Sequence, residues 1–495
     1  MGRNKLLHRF YEPLVLLSAL DRVQGDHVYS ESDRLPLDDI TNKELRRRFL
    51  NSLSYICDYK KGGDTTTAIG AAASPLCYYI ASNKTPREKV KTFLDFVFSQ
   101  LEQVYGVDYE DRVLIENELL QSCTRFSEER IQTYWTFLQH AMKDCGEALR
   151  ENPSTLKLCN LAEQLESSSE NLVDLCRCCY TLMRSEDLDF IRERVKTDGR
   201  HGTTKSPFVA AKHYIGRLAF HVKTVRVLLT AAERLPELVL GPEVFLIESP
   251  SSIVLPPPSR PKLNLDGIAN RMLHPSQASD FLAIQDSLRL LNLKFNIEQT
   301  VRERYLEKKL KARVHAELII LEYFYERDET LQYLDNDRYI GCSKPACYCC
   351  SLYFREHPAN VEPPATHQKL YLNWLPPTSV SGVEDPNSRL ANHERGMLNR
   401  MIQSIRSRTI EQIRNQTGRR QGHFDSTTGE TASTHTKIAF LKSRQIGSLL
   451  VREGDRNEVD DVETEVAVLP KHVSLSQNAI QSVGDSDDEG GVPLR

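Results

Sequence analysis

The chain has no apolar run approaching the roughly 18 residues that a membrane-spanning helix needs, so a bilayer-embedded protein is not expected. Its most apolar early stretch, residues 14–20, is short, follows Glu12 and Pro13 and meets Asp21. That reads as a first helix and not as a secretory leader. Gly2 lacks the downstream serine or threonine that myristoylation requires, because Leu6 stands in its place. Six of the twelve cysteines cluster in C-x-x-C and adjacent pairs, which, with no disulfide framework apparent, suits a reducing compartment, cytoplasm or nucleus. Nucleotide fingerprints are missing too. The Lys60-Lys61-Gly62-Gly63-Asp64 turn has neither Walker nor Rossmann spacing, so it is expected to be an interhelical turn opening a helix through Ala68 and Ile69, and not a phosphate cradle.

Strong net charge is also lacking. The formal charge is −4, yet residues 454–495 hold ten acidic and three basic side chains, which leaves the remainder at +3. The acidity belongs to a tail, and residues 485–491 are expected to be a solvated, disordered end in which Ser486 sits among acids as acid-directed kinase substrates do. What remains, with 40% hydrophobic and 27% charged residues overall, is a globular protein with room for two or three cores.

The most informative residues are His315-Ala316-Glu317 and, thirty positions on from Glu317, Cys347-Tyr348-Cys349-Cys350. An H-x-E triplet arises about once by chance in such a chain, whereas C-x-x-C is rarer. A catalytic zinc takes three protein ligands and keeps its fourth position for water, lowering the pKa of that water to about 7. A carboxylate that does not bind the metal then moves protons, as in the deaminase signature H-x-E…P-C-x-x-C. His315, Cys347 and Cys350 are the candidate zinc ligands, one ion per chain, and Glu317 the candidate proton shuttle. Tyr339-Ile340-Gly341-Cys342 predicts a short strand, and Ser343-Lys344-Pro345 a cap for a helix whose opening turn holds Cys347 and Cys350 on one face, with Cys349 turned about 100° away. His315 opens a second helix whose unbroken apolar run, Leu318 to Phe324, predicts burial. The other pair, Cys176 and Cys179, could join Cys347 and Cys350 in a four-cysteine structural site. Its helical spacing with Leu172, Leu175 and Leu182 instead favours core packing.

These residues carry a resemblance. Val314-His315-Ala316-Glu317, then Ile340-Gly341-Cys342-Ser343-Lys344 before C-x-x-C, then His367, Tyr371 and Trp374-Leu375-Pro376, resemble the fungal branch of the cytidine-deaminase-like superfamily, in which a helical N-terminal region precedes a divergent deaminase domain. Residues 57–65 are also similar to its N-terminal part. The resemblance implies an α/β three-layer cytidine-deaminase-like domain, a mixed sheet flanked by helices, that binds zinc and acts on a nucleobase in nucleotide or nucleic acid. Ala346 stands where that superfamily places proline before the first cysteine, a change in the loop nearest the substrate.

Periodicity predicts an all-α N-terminal region over residues 1–200 and the deaminase-like domain over 205–420. The latter begins with a helix through His213 and His221, read as core or surface histidines, followed by a strand at Val244–Ile247. A proline-rich and helical insertion occupies about 250–313. Its basic end, Arg302, Arg304, Lys308, Lys309, Lys311 and Arg313, is either a phosphate-binding stripe beside the zinc or a solvated face. Residues 369–374 predict a further strand, and Ser343, Lys344, His367 and Trp374 are the pocket candidates, Trp374 as a base-stacking or a packing residue. A basic amphipathic helix at 393–416 is expected to pack on the sheet. Residues 421–453 read as a linker with a final strand, and 454–495 as the acidic tail. The competing function is a zinc-stabilised scaffold whose helical half binds a protein partner.

Overall fold

A computed structural model describes residues 3–29, 35–73, 75–149, 154–200, 206–254, 264–273, 279–307, 311–377, 389–416 and 424. The linker apart from Phe424, the tail, Ser486, Lys308 and Lys309 lie outside the described residues. In chain order the first elements are helices α1 (Arg3–Leu20) and α2 (Asn42–Cys57), strands β1 (Thr67–Ala72) and β2 (Cys77–Ser82), and helices α3 (Glu88–Leu101), α4 (Tyr109–Phe126), α5 (Glu128–Ala148), α6 (Thr155–Ser168), α7 (Leu172–Leu182), α8 (Asp189–Arg200) and α9 (Pro207–Arg234). Then come strands β3 (Glu243–Leu246) and β4 (Ile253–Val254), helices α10 (Leu265–Met272), α11 (Phe281–Phe295) and α12 (Ile297–Arg302), strand β5 (Lys311–Ala312), helix α13 (Ala316–Tyr325), strand β6 (Ile340–Cys342), and helices α14 (Tyr348–Glu356) and α15 (Arg389–Arg414). The fold is mostly helical around a small mixed sheet.

That sheet has the order β3-β2-β1-β6, with β1 antiparallel to both β2 and β6, and β2 parallel to β3. It separates two hydrophobic cores. Ile69, Ala71, Tyr78 and Ile80 face the core shared with α2, α3 and α9, while Ala68, Ala72, Cys77 and Ala81 face the one shared with α1, α13 and α14. This is the period of two that a strand imposes. The second set is small, and Gly70 lies among it. A Cβ at Gly70 would come within 2.6 Å of Phe324 and 2.8 Å of Ile320, so the glycine lets α13 lie directly on β1. On the other face Gly341 lets α2 approach β6, since a Cβ there would meet the Leu50 carbonyl carbon at 2.5 Å.

Several expectations need correcting. The first 200 residues are largely helical, but the predicted helix through Ala68 and Ile69 is strand β1, and with β2 it forms the middle of the sheet. Alanine-rich sequence favours helix locally, and cross-strand pairing overrides it. Residues 369–374 do not form a strand, and a turn at Leu372-Asn373 interrupts them. They make isolated bridges, Lys369 to Val23 and Trp374 to Arg313, because no neighbour runs alongside for long enough. Helix α15 packs on α1, α11 and α14 and not on the sheet. Strand β3 falls where Val244–Ile247 predicted it. His213 and His221 are buried on α9. Cys176 and Cys179 are buried in the first core, whereas Cys347 and Cys350 lie in the second, so no four-cysteine site forms. All twelve cysteines are free.

Candidate metal centre

Two helix N-termini build the site. His315 is the N-cap residue of α13 but does not cap it with its own side chain. Asn83, just beyond β2, does so instead: its Oδ1 accepts the Ala316 N–H at 2.8 Å, while its Nδ2 donates to the Gly63 carbonyl at 2.7 Å. The imidazole is thus free to face the sulfurs. Cys347 is the N-cap of α14, and its Sγ accepts the Cys350 N–H at 3.5 Å. Cys350 follows three residues later on the same face. His315 Nδ1 lies 3.6 Å from Cys347 Sγ and 3.3 Å from Cys350 Sγ, and the three ligand atoms fall within 4.8 Å of one another. Both cysteines are buried. Bonds of about 2.0 Å to nitrogen and 2.3 Å to sulfur at tetrahedral angles separate N from S by roughly 3.5 Å, so one nitrogen and two sulfurs at these distances can hold a metal ion and fit zinc in donor type and spacing.

Glu317 stands one helical step inside α13 and is buried. Burial, opposed by His315, holds its carboxyl above the ordinary carboxylate range. Burial pushes the Cys347 thiol up, but the Cys350 hydrogen bond and then His315 outweigh it and hold Cys347 well below the usual thiol value. A helix N-terminus favours the same thiolate. Cys349 is buried in the second core and does not belong to the clustered ligand atoms.

The four pocket candidates are placed as follows. The Ser343 hydroxyl accepts the Thr67 N–H at 3.0 Å and donates to Asp58 Oδ2 at 3.3 Å. The Lys344 ammonium donates to the Gly62 carbonyl at 2.7 Å and lies 3.7 Å from Asp58 Oδ2. Both therefore tie the glycine-rich loop to the turn before α14. Buried Asp58 is kept ionised against the cost of burial, by Lys344 first and then Arg130. His367 is buried, accepts the Lys369 N–H on Nδ1 at 3.1 Å, and packs edge-on to Tyr371. Trp374 is fully buried between Phe10 and Tyr353, and its indole N–H donates to Cys350 Sγ at 3.2 Å. In the basic stripe, Arg302 pairs with Glu298, Arg304 bonds Ser18, and Arg313 pairs with Asp64 at 2.5 Å.

Sequence reasoning missed Asn83, Asp58 and Asp64. Each acts on a partner more than two hundred residues away, and only the resemblance of residues 57–65 hinted at that loop. It also missed a second buried group, Glu322, His357 and His393, whose ligand atoms are close enough for a metal. The hydrogen bonds argue otherwise. His357 Nδ1 accepts the Ala359 N–H at 3.2 Å, so in the neutral ring Nε2 carries the proton and gives it to Glu322 Oε1 at 3.0 Å. Tyr353 O–H donates to the same oxygen at 2.5 Å. This is a held carboxylate joining α13 to α14.

Residues 314–378 match the model of the OTT_1508_deam family, a deaminase-like family. That span contains His315, Glu317, Cys347, Cys350 and all four pocket candidates. No curated protein and no solved structure matches the chain. The match covers 65 of the 495 residues and is a likeness to a deaminase-like family, over a segment that also holds a cluster able to bind a metal ion. Among the described residues no helix is long and apolar enough to cross a membrane.

Proposed function

We propose that the protein is a zinc-dependent deaminase that removes an exocyclic amino group from a nucleobase, in nucleotide or nucleic acid, and that its domain is a three-layer cytidine-deaminase-like fold of the fungal branch. The carrying observation is Glu317, buried beside the ligand cluster without belonging to it. A dry carboxylate is costly unless it is used or well bonded. In this reading the domain spans 205–420 and takes β1 and β2 from the helical part before it.

His315, Cys347 and Cys350 would hold Zn²⁺, which supplies a water acidic enough to attack near neutral pH. Overall, water adds to the amidine carbon, the exocyclic C–N bond breaks, ammonia leaves, and a carbonyl is left on the ring. Glu317 would perform the proton transfers in two rounds: it accepts a proton from the attacking water and gives it to the ring nitrogen, then accepts the proton of the added hydroxyl and gives it to the departing amine. A carboxyl whose proton affinity is raised by burial carries protons in both directions more readily than an ordinary surface carboxylate.

A second reading has a specific observation behind it. Ser343, Lys344, His367 and Trp374 all spend their polar atoms inside the protein, as a zinc-stabilised scaffold with a protein partner on its helical half would allow. Measuring zinc per chain and ammonia release from nucleosides, nucleotides and single strands decides between the two. The enzyme reading expects about one zinc and ammonia that disappears in Glu317→Ala with zinc retained. Zinc bound, with ammonia from no substrate, would favour the scaffold.

A further inference from the structure

The two thiol ligands differ in how they are supported, and the difference singles out one residue. Cys347, at the N-cap, receives a backbone donor from within its own helix, the Cys350 N–H. Cys350 lies one turn further in, and its sulfur takes the indole N–H of Trp374 at 3.2 Å. Indole nitrogen is a donor only, so the direction of this bond is fixed, and both residues are fully buried, where a hydrogen bond is undiluted by water. The indole is itself held on three sides. The Trp374 carbonyl accepts the Tyr11 hydroxyl of α1. Its ring packs on Phe10 at 5.3 Å and Tyr353 at 6.2 Å between centroids. On either side of it, the Asn373 carbonyl accepts the Arg313 N–H and the Leu375 N–H donates to the Arg313 carbonyl, both at 2.8 Å. Arg313 is two residues before His315.

We infer that Trp374 is a positioning residue of the metal centre, a strut that fixes Cys350 relative to His315 and withdraws charge from the Cys350 thiolate through its N–H. This rests on the zinc reading above. Its role is neither base stacking nor packing alone: the main chain at 373–375 is bonded to the segment leading into one ligand helix, and the side chain to a ligand of the other. Outer-shell donors of this kind orient ligands and tune the metal, and losing one typically costs about 10–100-fold in metal affinity.

The test compares wild type with Trp374→Phe, measuring Zn²⁺ affinity by chelator competition and the sulfur-to-metal charge-transfer band of the Co²⁺-substituted protein. About tenfold or more weaker Zn²⁺ binding, with the band moved to lower energy as the unbonded thiolate becomes a better donor, is the expected result. Wild-type affinity and an unmoved band in the variant would overturn it. Should Trp374→Phe fail to fold, the benzothiophene analogue of tryptophan at 374 keeps the shape and removes only the N–H, and the same two readouts decide. Wild type that binds no Zn²⁺ would instead sink the zinc reading itself, and is told apart because it requires no variant.

Discussion

Two C-x-x-C pairs occupy this chain, and only one becomes a site. Cys176 and Cys179 sit within α7, their thiols pushed well up by burial, in a core of Leu175, Leu182 and their neighbours. Cys347 and Cys350 have the same spacing but start a helix, where Cys347 at the N-cap is drawn well below the usual thiol value against the pull of burial while Cys350, one turn in, is raised by burial and by Cys347. Spacing of three puts both sulfurs of either pair on one helical face. What separates them is position along the helix and what stands opposite: apolar side chains in one case, an imidazole and an indole N–H in the other. A cysteine motif is therefore read better by the helix boundary it straddles than by its spacing.

The largest effect that sharpens this contrast is on metal content. Cys347→Ser is expected to lose zinc beyond the roughly 100-fold ceiling for outer-shell partners, whereas Cys176→Ser should keep zinc near one per chain and lose about 1–3 kcal/mol of stability by burying a hydroxyl in an apolar core. Elemental analysis and urea unfolding check the pair, and zinc lost from Cys176→Ser would break the contrast.

Next comes the clamp behind the ligand helices. Burial raises the Glu322 pKa, but the hydrogen bonds from His357 and Tyr353, with the His393 imidazole 3.7 Å away, win and bring it down to about 2 from 4.5. A depressed carboxyl contributes stability that is fully present above pH 4.5 and is lost as pH falls through about 2, here roughly 3 kcal/mol. Glu322→Gln should therefore be less stable than wild type by about that much at pH 7, with the gap closing below pH 4.5. Unfolding free energies measured across that range would show it, and a constant gap would refute it.

A smaller effect is expected between the two cores. Gly341→Ala places a methyl against the Leu50 backbone, which cannot retract as a side chain can, and should cost about 1–3 kcal/mol. Calorimetry checks this, and an unchanged melting temperature would mean that α2 can shift.

Smallest is the cap on α13. Asn83→Ala removes the acceptor for the Ala316 N–H and should cost about 1 kcal/mol, with weaker zinc binding and no change in the slow alkylation of Cys176 and Cys179. Faster labelling of that distant pair would show global loosening instead of a local one.

The ligand set was legible because its members state their geometry locally: His315 before an apolar helix, and two cysteines after a short strand, although Cys347 itself and not Ser343-Lys344-Pro345 caps the second helix. The helices of the N-terminal half and β3 were legible from periodicity. Strands β1 and β2 were not, since Ala68, Gly70, Ala71 and Ala72 look helical or neutral until one sees that α13 needs a small-residue floor. Asn83 and Trp374 carry no local pattern at all. Each takes its part from a contact formed only after folding, and the prediction of a strand at 369–374 failed because that segment serves as a connector between α1, Arg313 and Cys350.

The β1–β6 pairing joins Ala68 to Cys342. On a ribosome adding roughly 5–20 residues per second, the β1–β2 hairpin emerges tens of seconds before the strand that covers its outer edge. Throughout that time β1 offers unpaired backbone and the apolar floor meant for α13, a surface on which nascent chains aggregate or chaperones dwell. The segment that matches the deaminase-like family, 314–378, supplies only β6 to this sheet. Synthesised without the hairpin, it would lack the small-residue floor on which α13 lies.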